Sequence, residues 1–335
     1  MEQYLNIFID DDYPYFLDKY LKTITLLRIK YVTQFCGCDY TKIYNPKFLY
    51  TRYSHSLVVA HMVWHFTHDK KETIAALLHD VGTPCFAHSI DYVFGDYMNQ
   101  ESSEVKITDI IKEAEELLEY LKSDGITLDE LDDFEKYPIL ENSSPRLCAD
   151  RLDGVLHTGY IWLNTNTLSE VKEVYDNMTV LINEDGKNEI GFKDLDIALK
   201  FSQMVSTYAK ELQGNKDKYI MKYVSEVVKK AVKNNLITLE DLYSKKEEDI
   251  VNIFAMNIPS WKKFNEAETV IGTTSIPDNF YISFDTKKRN TIPLVRVGNK
   301  SARITDISSS ARSLYDEIDN YRDYKYAYVK TIKRV

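Results

Sequence analysis

Six of the seven histidines fall between residues 55 and 88, and their division between two helical stretches constrains the fold more than any other feature of the chain. Residues 54–67 repeat apolar side chains at helical intervals, and 71–80 form a second helical pattern that must stop before Gly82 and Pro84. Advancing ~100° per residue from His55 places Val59, Met62 and Phe66 within ~40° of it, so His55 emerges from the buried stripe. His61 and His65 fall ~80–120° away on another face, with His68 beyond them at the helix end. A lone histidine on an apolar stripe is ordinarily a core residue. His79-Asp80 changes that reading, because an imidazole and a carboxylate at a helix terminus, behind Ala75-Ala76-Leu77-Leu78, can point into one site. Asp150, on a third helical stretch over 145–164, completes a set of two imidazoles and two carboxylates. That mixture suits Mn, Fe, Zn, Ni or Mg, with positions left for water and phosphate oxygens.

The remaining pattern is mostly helical. Residues 14–36 suggest one or two helices, and 104–121, 194–212, 216–235 and 308–323 add further ones. Residues 180–192 read as a hairpin with Asp185-Gly186 at its turn, and 280–305 alternates apolar and polar residues in the manner of strands. With the composition shift near 259–277 taken as a boundary, the expectation is a mainly α protein: a helical core over 1–260 and a small α/β lobe over 261–335.

Charge and cysteine usage narrow the partners. The chain carries 42 basic and 52 acidic residues, a net charge of −10, so a polyanion must be drawn in by local cations or a metal. Long duplex nucleic acid is disfavoured as a ligand. No run approaches the ~18–20 apolar residues of a membrane span, and the opening Met-Glu-Gln-Tyr-Leu-Asn lacks the marks of a secretory signal. A cytoplasmic location is the default expectation. Four cysteines, Cys36, Cys38, Cys85 and Cys148, are too few and too irregular for a disulfide framework and read as buried or incidental thiols.

Three segments carry a resemblance. Arg52-Tyr-Ser-His55-Ser-Leu, Ala76-Leu-Leu-His79-Asp80-Val-Gly and Cys148-Ala-Asp150-Arg151-Leu-Asp153 resemble the H…HD…D signature of HD-superfamily metal-dependent phosphohydrolases. The likeness is to the branch containing the deoxynucleoside triphosphate triphosphohydrolases. Leu27-Arg28-Ile-Lys30 and Pro84-x-Phe86-Ala-His88-Ser-Ile-Asp91 are similar to segments of that branch, and the good match spans residues 20–160. The resemblance implies an HD-domain helical core, with His55, His79, Asp80 and Asp150 holding a divalent metal and Arg52 clamping phosphate. It further implies His88 as proton donor with Asp91 as its partner, alongside Asp80 in the catalytic set. At i and i+3 these two are neighbours on a helix, and the carboxylate would raise the imidazole's pKa. Two positions depart from the branch: Thr83 stands where a histidine is common, and Gln100-Glu101 stands where a His-Glu pair is common. Both lie on the substrate side.

The expected activity is metal-dependent hydrolysis of a nucleotide phosphoester, with a (deoxy)nucleoside triphosphate favoured and a homo-oligomer expected. A nucleoside monophosphate phosphatase, a cyclic-nucleotide phosphodiesterase and a non-catalytic nucleotide sensor are the alternatives. Lys216, Lys218 and Lys222 are candidates for a phosphate entrance, against the plainer reading of a solvated helix face. His61, His65 and His68 read as a partly solvated face. Asp153 either supports the metal ligands or pairs with Arg151. Arg289, Arg296 and Arg303 read as surface charge, and Asp10-Asp11-Asp12 as a solvated turn.

Overall fold

Thr51 starts the helix that carries His55: its hydroxyl accepts from the Ser54 amide at 3.3 Å, capping α1 (Arg52–Thr67). The helix ends where His68 turns left-handed, at φ 51°, and Asp69 at once caps α2 (Lys70–Leu78) by accepting from Glu72 N at 2.8 Å. Two residues therefore separate the helices, which pack as an antiparallel pair. The computed structural model describes residues 1–99, 107–132 and 136–333. Gln100-Glu101 and the first residues of the 104–121 stretch lie outside them.

Glu72 fixes the third element of the site. Its buried carboxylate accepts from the amides of Ile139 and Leu140, both at 3.0 Å. Those residues in turn receive the amides of Ala149 and Asp150 at 2.7 and 3.3 Å. The start of α5 is thus hung on α2. Between them, 104–121 does not form the single helix expected; it is α3 (Ile107–Lys112) and α4 (Glu115–Ser123). Ile111 and Leu117 are six residues apart, about 120° out of phase on one continuous helix. The break lets Ile107, Ile111, Leu117 and Leu121 all reach the core.

α5 (Ala149–His157) runs into a π-helical turn, Thr158–Trp162, which the sequence reading did not anticipate. α6 (Leu168–Asp176), with a Thr167/Glu170 capping box, leads to the hairpin of β1 (Met178–Ile182) and β2 (Asn188–Phe192), antiparallel as expected. α7 (Leu195–Leu212) and α8 (Asn215–Lys233) follow, both buried along one face. α9 (Glu247–Asn257) and α10 (Pro259–Asn265) were not anticipated. Pro259 stands in the first turn of α10, where its missing N–H costs nothing, and α10 buries Trp261 and Phe264.

Two sheets close the chain. β3 (Ile271–Thr273) and β4 (Asn279–Ile282) flank β7 (Tyr326–Lys333) in an antiparallel three-stranded sheet. β5 (Leu294–Val297) and β6 (Lys300–Arg303) join the hairpin in the order β1-β2-β5-β6, with β2 and β5 parallel. Gly191 permits that approach, since a Cβ there would stand 2.8 Å from the Leu294 carbonyl. The fully buried Glu189 binds Arg303 at 2.5 Å, locking the strands from the tail onto the hairpin. α11 (Ser309–Asn320) then packs on α7, with the Tyr315 hydroxyl donating to the Thr291 carbonyl at 2.7 Å. The protein is mainly α, as expected, and no helix among the described residues is long and apolar enough to cross a membrane.

Candidate metal centre and active site

His55 leaves the first turn of α1 1% exposed, and each ring nitrogen has a task. Nδ1 lies 2.6 Å from Asp153 Oδ2, and Nε2 lies 3.0 Å from Asp150 Oδ1 and 3.8 Å from Asp80 Oδ2. His79, just past α2, donates from Nδ1 to the Ala76 carbonyl at 2.6 Å. That bond leaves Nε2 facing Asp150 and Asp80 at 3.7 and 3.8 Å. His79 Nε2 is buried and has no hydrogen-bond partner among the described residues. Such a nitrogen is costly unless something fills the position. Two imidazole Nε2 atoms and two carboxylates from three helices therefore converge, and this donor set fits a divalent cation.

A second grouping, His55, Asp153 and His157, is also close enough to share an ion, but its valences are spent internally. Asp153 is fully buried and accepts from Tyr4 at 2.7 Å, Tyr50 at 3.0 Å and His55, while His157 Nδ1 donates to the Asp153 carbonyl at 2.7 Å. Asp153 thus orients His55. Of its two expected roles, pairing with Arg151 is excluded: Arg151 binds Glu141 at 2.7 Å and Asn142.

The charges follow from this geometry. Burial opposes ionisation of Asp80, yet Arg52, His79 and His55 hold its carboxyl well below the usual range. Burial likewise opposes protonation of His55, but Asp150 and Asp153 raise it to about 10. Arg52 Nη1 lies 3.0 Å from Asp80 Oδ2, while its Nε is buried without a partner among the described residues. Thr83, at the position of the missing histidine, donates to Asp80 Oδ1 at 2.9 Å. Arg28 pins the same turn by donating to the carbonyls of Val81 and Thr83 at 2.6 and 2.8 Å.

These groups open into a cavity of about 830 Å³. His88 stands on its wall after Phe86 and Ala87, both left-handed, at φ 64° and 43°. Such backbone costs of order 1–3 kcal/mol per residue. It is held here by Glu247 of α9, which accepts from Phe86 N at 2.7 Å, and by Ser89, which donates to the Cys36 carbonyl at 2.7 Å. His88 Nδ1 and Asp91 Oδ2 are 3.1 Å apart, the neighbours expected. The expected rise in pKa is not the net result: burial lowers the imidazole, and Arg289 and Arg52 add to it, against the opposing pull of Asp91.

The three lysines are placed elsewhere. α8 turns Asp217 and Met221 toward the cavity, so residues one position either side point ~100° away. Lys216 pairs with Glu211 at 3.1 Å, Lys218 donates to the Phe284 carbonyl at 3.2 Å, and Lys222 pairs with Glu226 at 2.6 Å. Arg289 does line the cavity, and its charge acts on His88, Asp217 and the Tyr208 hydroxyl, to which it hydrogen-bonds. His61 is 3% exposed, not solvated as expected, whereas His65 and His68 are outside and bind Asp10 and Asp12, each at 2.8 Å. The cysteines are free thiols, three of them buried.

No protein-family model matches the chain. It is 24% identical to the uncharacterised protein YdhJ of Bacillus subtilis over 326 residues, 95% of each chain. It is 25% identical over 166 residues to the metal-dependent phosphohydrolase cns2 of Cordyceps militaris, covering 49% of this chain and 47% of that one. Among solved structures, a phosphohydrolase from Bacteroides thetaiotaomicron superposes with a TM-score of 0.63 at 13% identity, over 98% of this chain and 97% of that one. A hypothetical protein from Aquifex aeolicus does so with a TM-score of 0.57 at 14% identity, over 92% and 90%. The fold is shared with both.

Proposed function

We propose that the chain is a metal-dependent phosphohydrolase of the HD type, acting on a nucleotide, with a (deoxy)nucleoside triphosphate as the first-choice substrate. The observation that carries the reading is the buried, unpartnered His79 Nε2 facing Asp80 and Asp150 beside His55. The fungal relative's name and that of the Bacteroides neighbour support the same reaction class. His55, His79, Asp80 and Asp150 would hold a divalent cation, which supplies Lewis acidity and a water of lowered pKa when bound.

The chain's own groups do the rest. Arg52 lines the cavity beside Asp80 and offsets phosphate charge. Water oxygen forms the new bond to phosphorus as the bond to the leaving alcohol breaks. His88 gives its proton to that alcohol oxygen and is restored by a proton from the water. Asp91 keeps the His88 ring oriented through Nδ1, and Asp153 does the same for His55.

Incubating metal-loaded protein with a nucleotide panel and identifying products by mass tests this reading. Nucleoside with intact tripolyphosphate is the expected result, since attack falls at the α-phosphorus. Orthophosphate released only from monophosphates would assign the phosphatase instead, and tight binding without turnover would assign a sensor.

A further inference from the structure

The cavity has a second polar end that the phosphate chemistry does not use. Asp217, in the first turn of α8, lies on the wall and is 3% exposed. Its hydrogen-bond partner is a weak one, the Cys38 thiol at 3.6 Å, and it makes no ion pair among the described residues. Lys216 and Lys218 are turned to Glu211 and Phe284, and the charges of Arg289 and Lys218 only partly offset its burial. Burial, reinforced by the charge of Glu211, pushes its carboxyl up to about 7.

Trp162 stands on the same wall, delivered by the π-helical turn that ends α5. Single π turns inside helices recur at functional sites. The indole is 6% exposed, and its N–H has no acceptor among the described residues. Tyr44 links the two groups: its ring lies 4.7 Å from that of Trp162, and its hydroxyl feels the charge of Asp217. A buried acceptor and a buried donor, each short of a partner, thus share one apolar corner. Cys36 lines the same cavity, within electrostatic reach of both Asp217 and Arg52.

We propose that Asp217 and the Trp162 indole N–H bind the leaving alcohol of the substrate, accepting from and donating to a nucleoside's N–H, O–H and carbonyl groups. This rests on the phosphohydrolase reading and gives the site a direction. Phosphate lies at the Arg52 end, and the uncharged, donor-bearing part lies at the Asp217 end.

The test compares kcat/KM for a nucleotide with that for p-nitrophenyl phosphate, whose leaving group has no N–H or O–H donor. The nucleotide-to-nitrophenyl ratio is expected to fall about 10–100-fold in Asp217→Ala, the range for a buried polar group left unpaired. Trp162→Phe, which removes the N–H and keeps a ring, should shift the same ratio in the same direction. Two analogue arms separate the possible donors: a 2′,3′-dideoxynucleotide lacks the sugar hydroxyls, and purine riboside phosphate lacks base N–H groups. The arm that is insensitive to Asp217→Ala identifies the contacted moiety. Wild-type protein active on both esters, with the ratio unchanged in both variants, overturns this assignment and leaves the hydrolase reading standing. Metal-loaded wild type inactive on both esters overturns the hydrolase reading itself, and this assignment with it.

Discussion

His55 Nδ1 and Asp153 Oδ2 are 2.6 Å apart, and that contact decides which nitrogen His55 presents to Asp150 and Asp80. The carboxylate is held from the far side by the hydroxyls of Tyr4 and Tyr50. Asp153→Asn keeps the shape and removes the charge that fixes the tautomer. Metal affinity should fall about 10–100-fold, read by competition with a chelator. Unchanged affinity would mean that Asp153 is only a packing group.

The histidines of α1 and the one that follows α2 should sort cleanly. His79→Ala or Asp80→Ala should abolish bound metal, measured as metal per chain after dialysis, and lower turnover by orders of magnitude. His65→Gln should change neither, because that ring lies outside against Asp10. His61→Gln, buried on the far side of α1, should retain metal while costing stability. Metal retained in full by both His79→Ala and Asp80→Ala would refute the site.

Proton donation should carry a pH signature. His88→Ala should slow turnover roughly 10²–10⁴-fold with metal still bound. Because burial, Arg289 and Arg52 lower the His88 pKa, kcat/KM of the free enzyme should begin to fall with rising pH below the ordinary histidine range. Asp91→Asn removes an opposing pull and should move that limb to still lower pH, and Arg289→Gln should move it up. A limb that stays fixed in both variants belongs to another group.

His61 should make stability depend on pH. Burial lowers its pKa from 6.5 to about 4, only partly opposed by Asp10. The unfolded chain therefore binds the extra proton between those values, and the folded chain does not. The contribution is complete above pH 6.5 and is lost as pH falls toward 4, amounting to on the order of 3 kcal/mol. In denaturant titrations across that range, wild type should lose stability relative to His61→Leu as the pH falls. A constant difference between them would contradict the burial argument.

Much of the centre is legible in the sequence because helix phase is local: ~100° per residue separates His55 from His61 and His65 without tertiary knowledge. Asp153 could not be assigned that way, since Tyr4 and Tyr50 reach it across 149 and 103 residues. The two readings of the α8 lysines could not be separated for a related reason. Their spacing marks a helix face, but only packing shows that the inward face carries Asp217 and Met221. Arg289 looks like surface charge until β5 pairs with β2 and brings the preceding segment against the cavity. The interrupted helix over 104–121 and the π-helical turn at Thr158–Trp162 are likewise decided by what must face inward.

The parallel pairing of β2 with β5, Phe192 beside Val295, also sets a timetable. His55, His79, Asp80 and Asp150 have all been synthesised by position 150, but the wall that includes Thr286, Arg289 and Thr291 cannot be fastened until β5 reaches a β2 made about a hundred residues earlier. At ~5–20 residues per second that is a wait of roughly 5–20 s. Through that interval a nascent chain holds His55, His79, Asp80 and Asp150 in a cleft whose far wall is not yet in place.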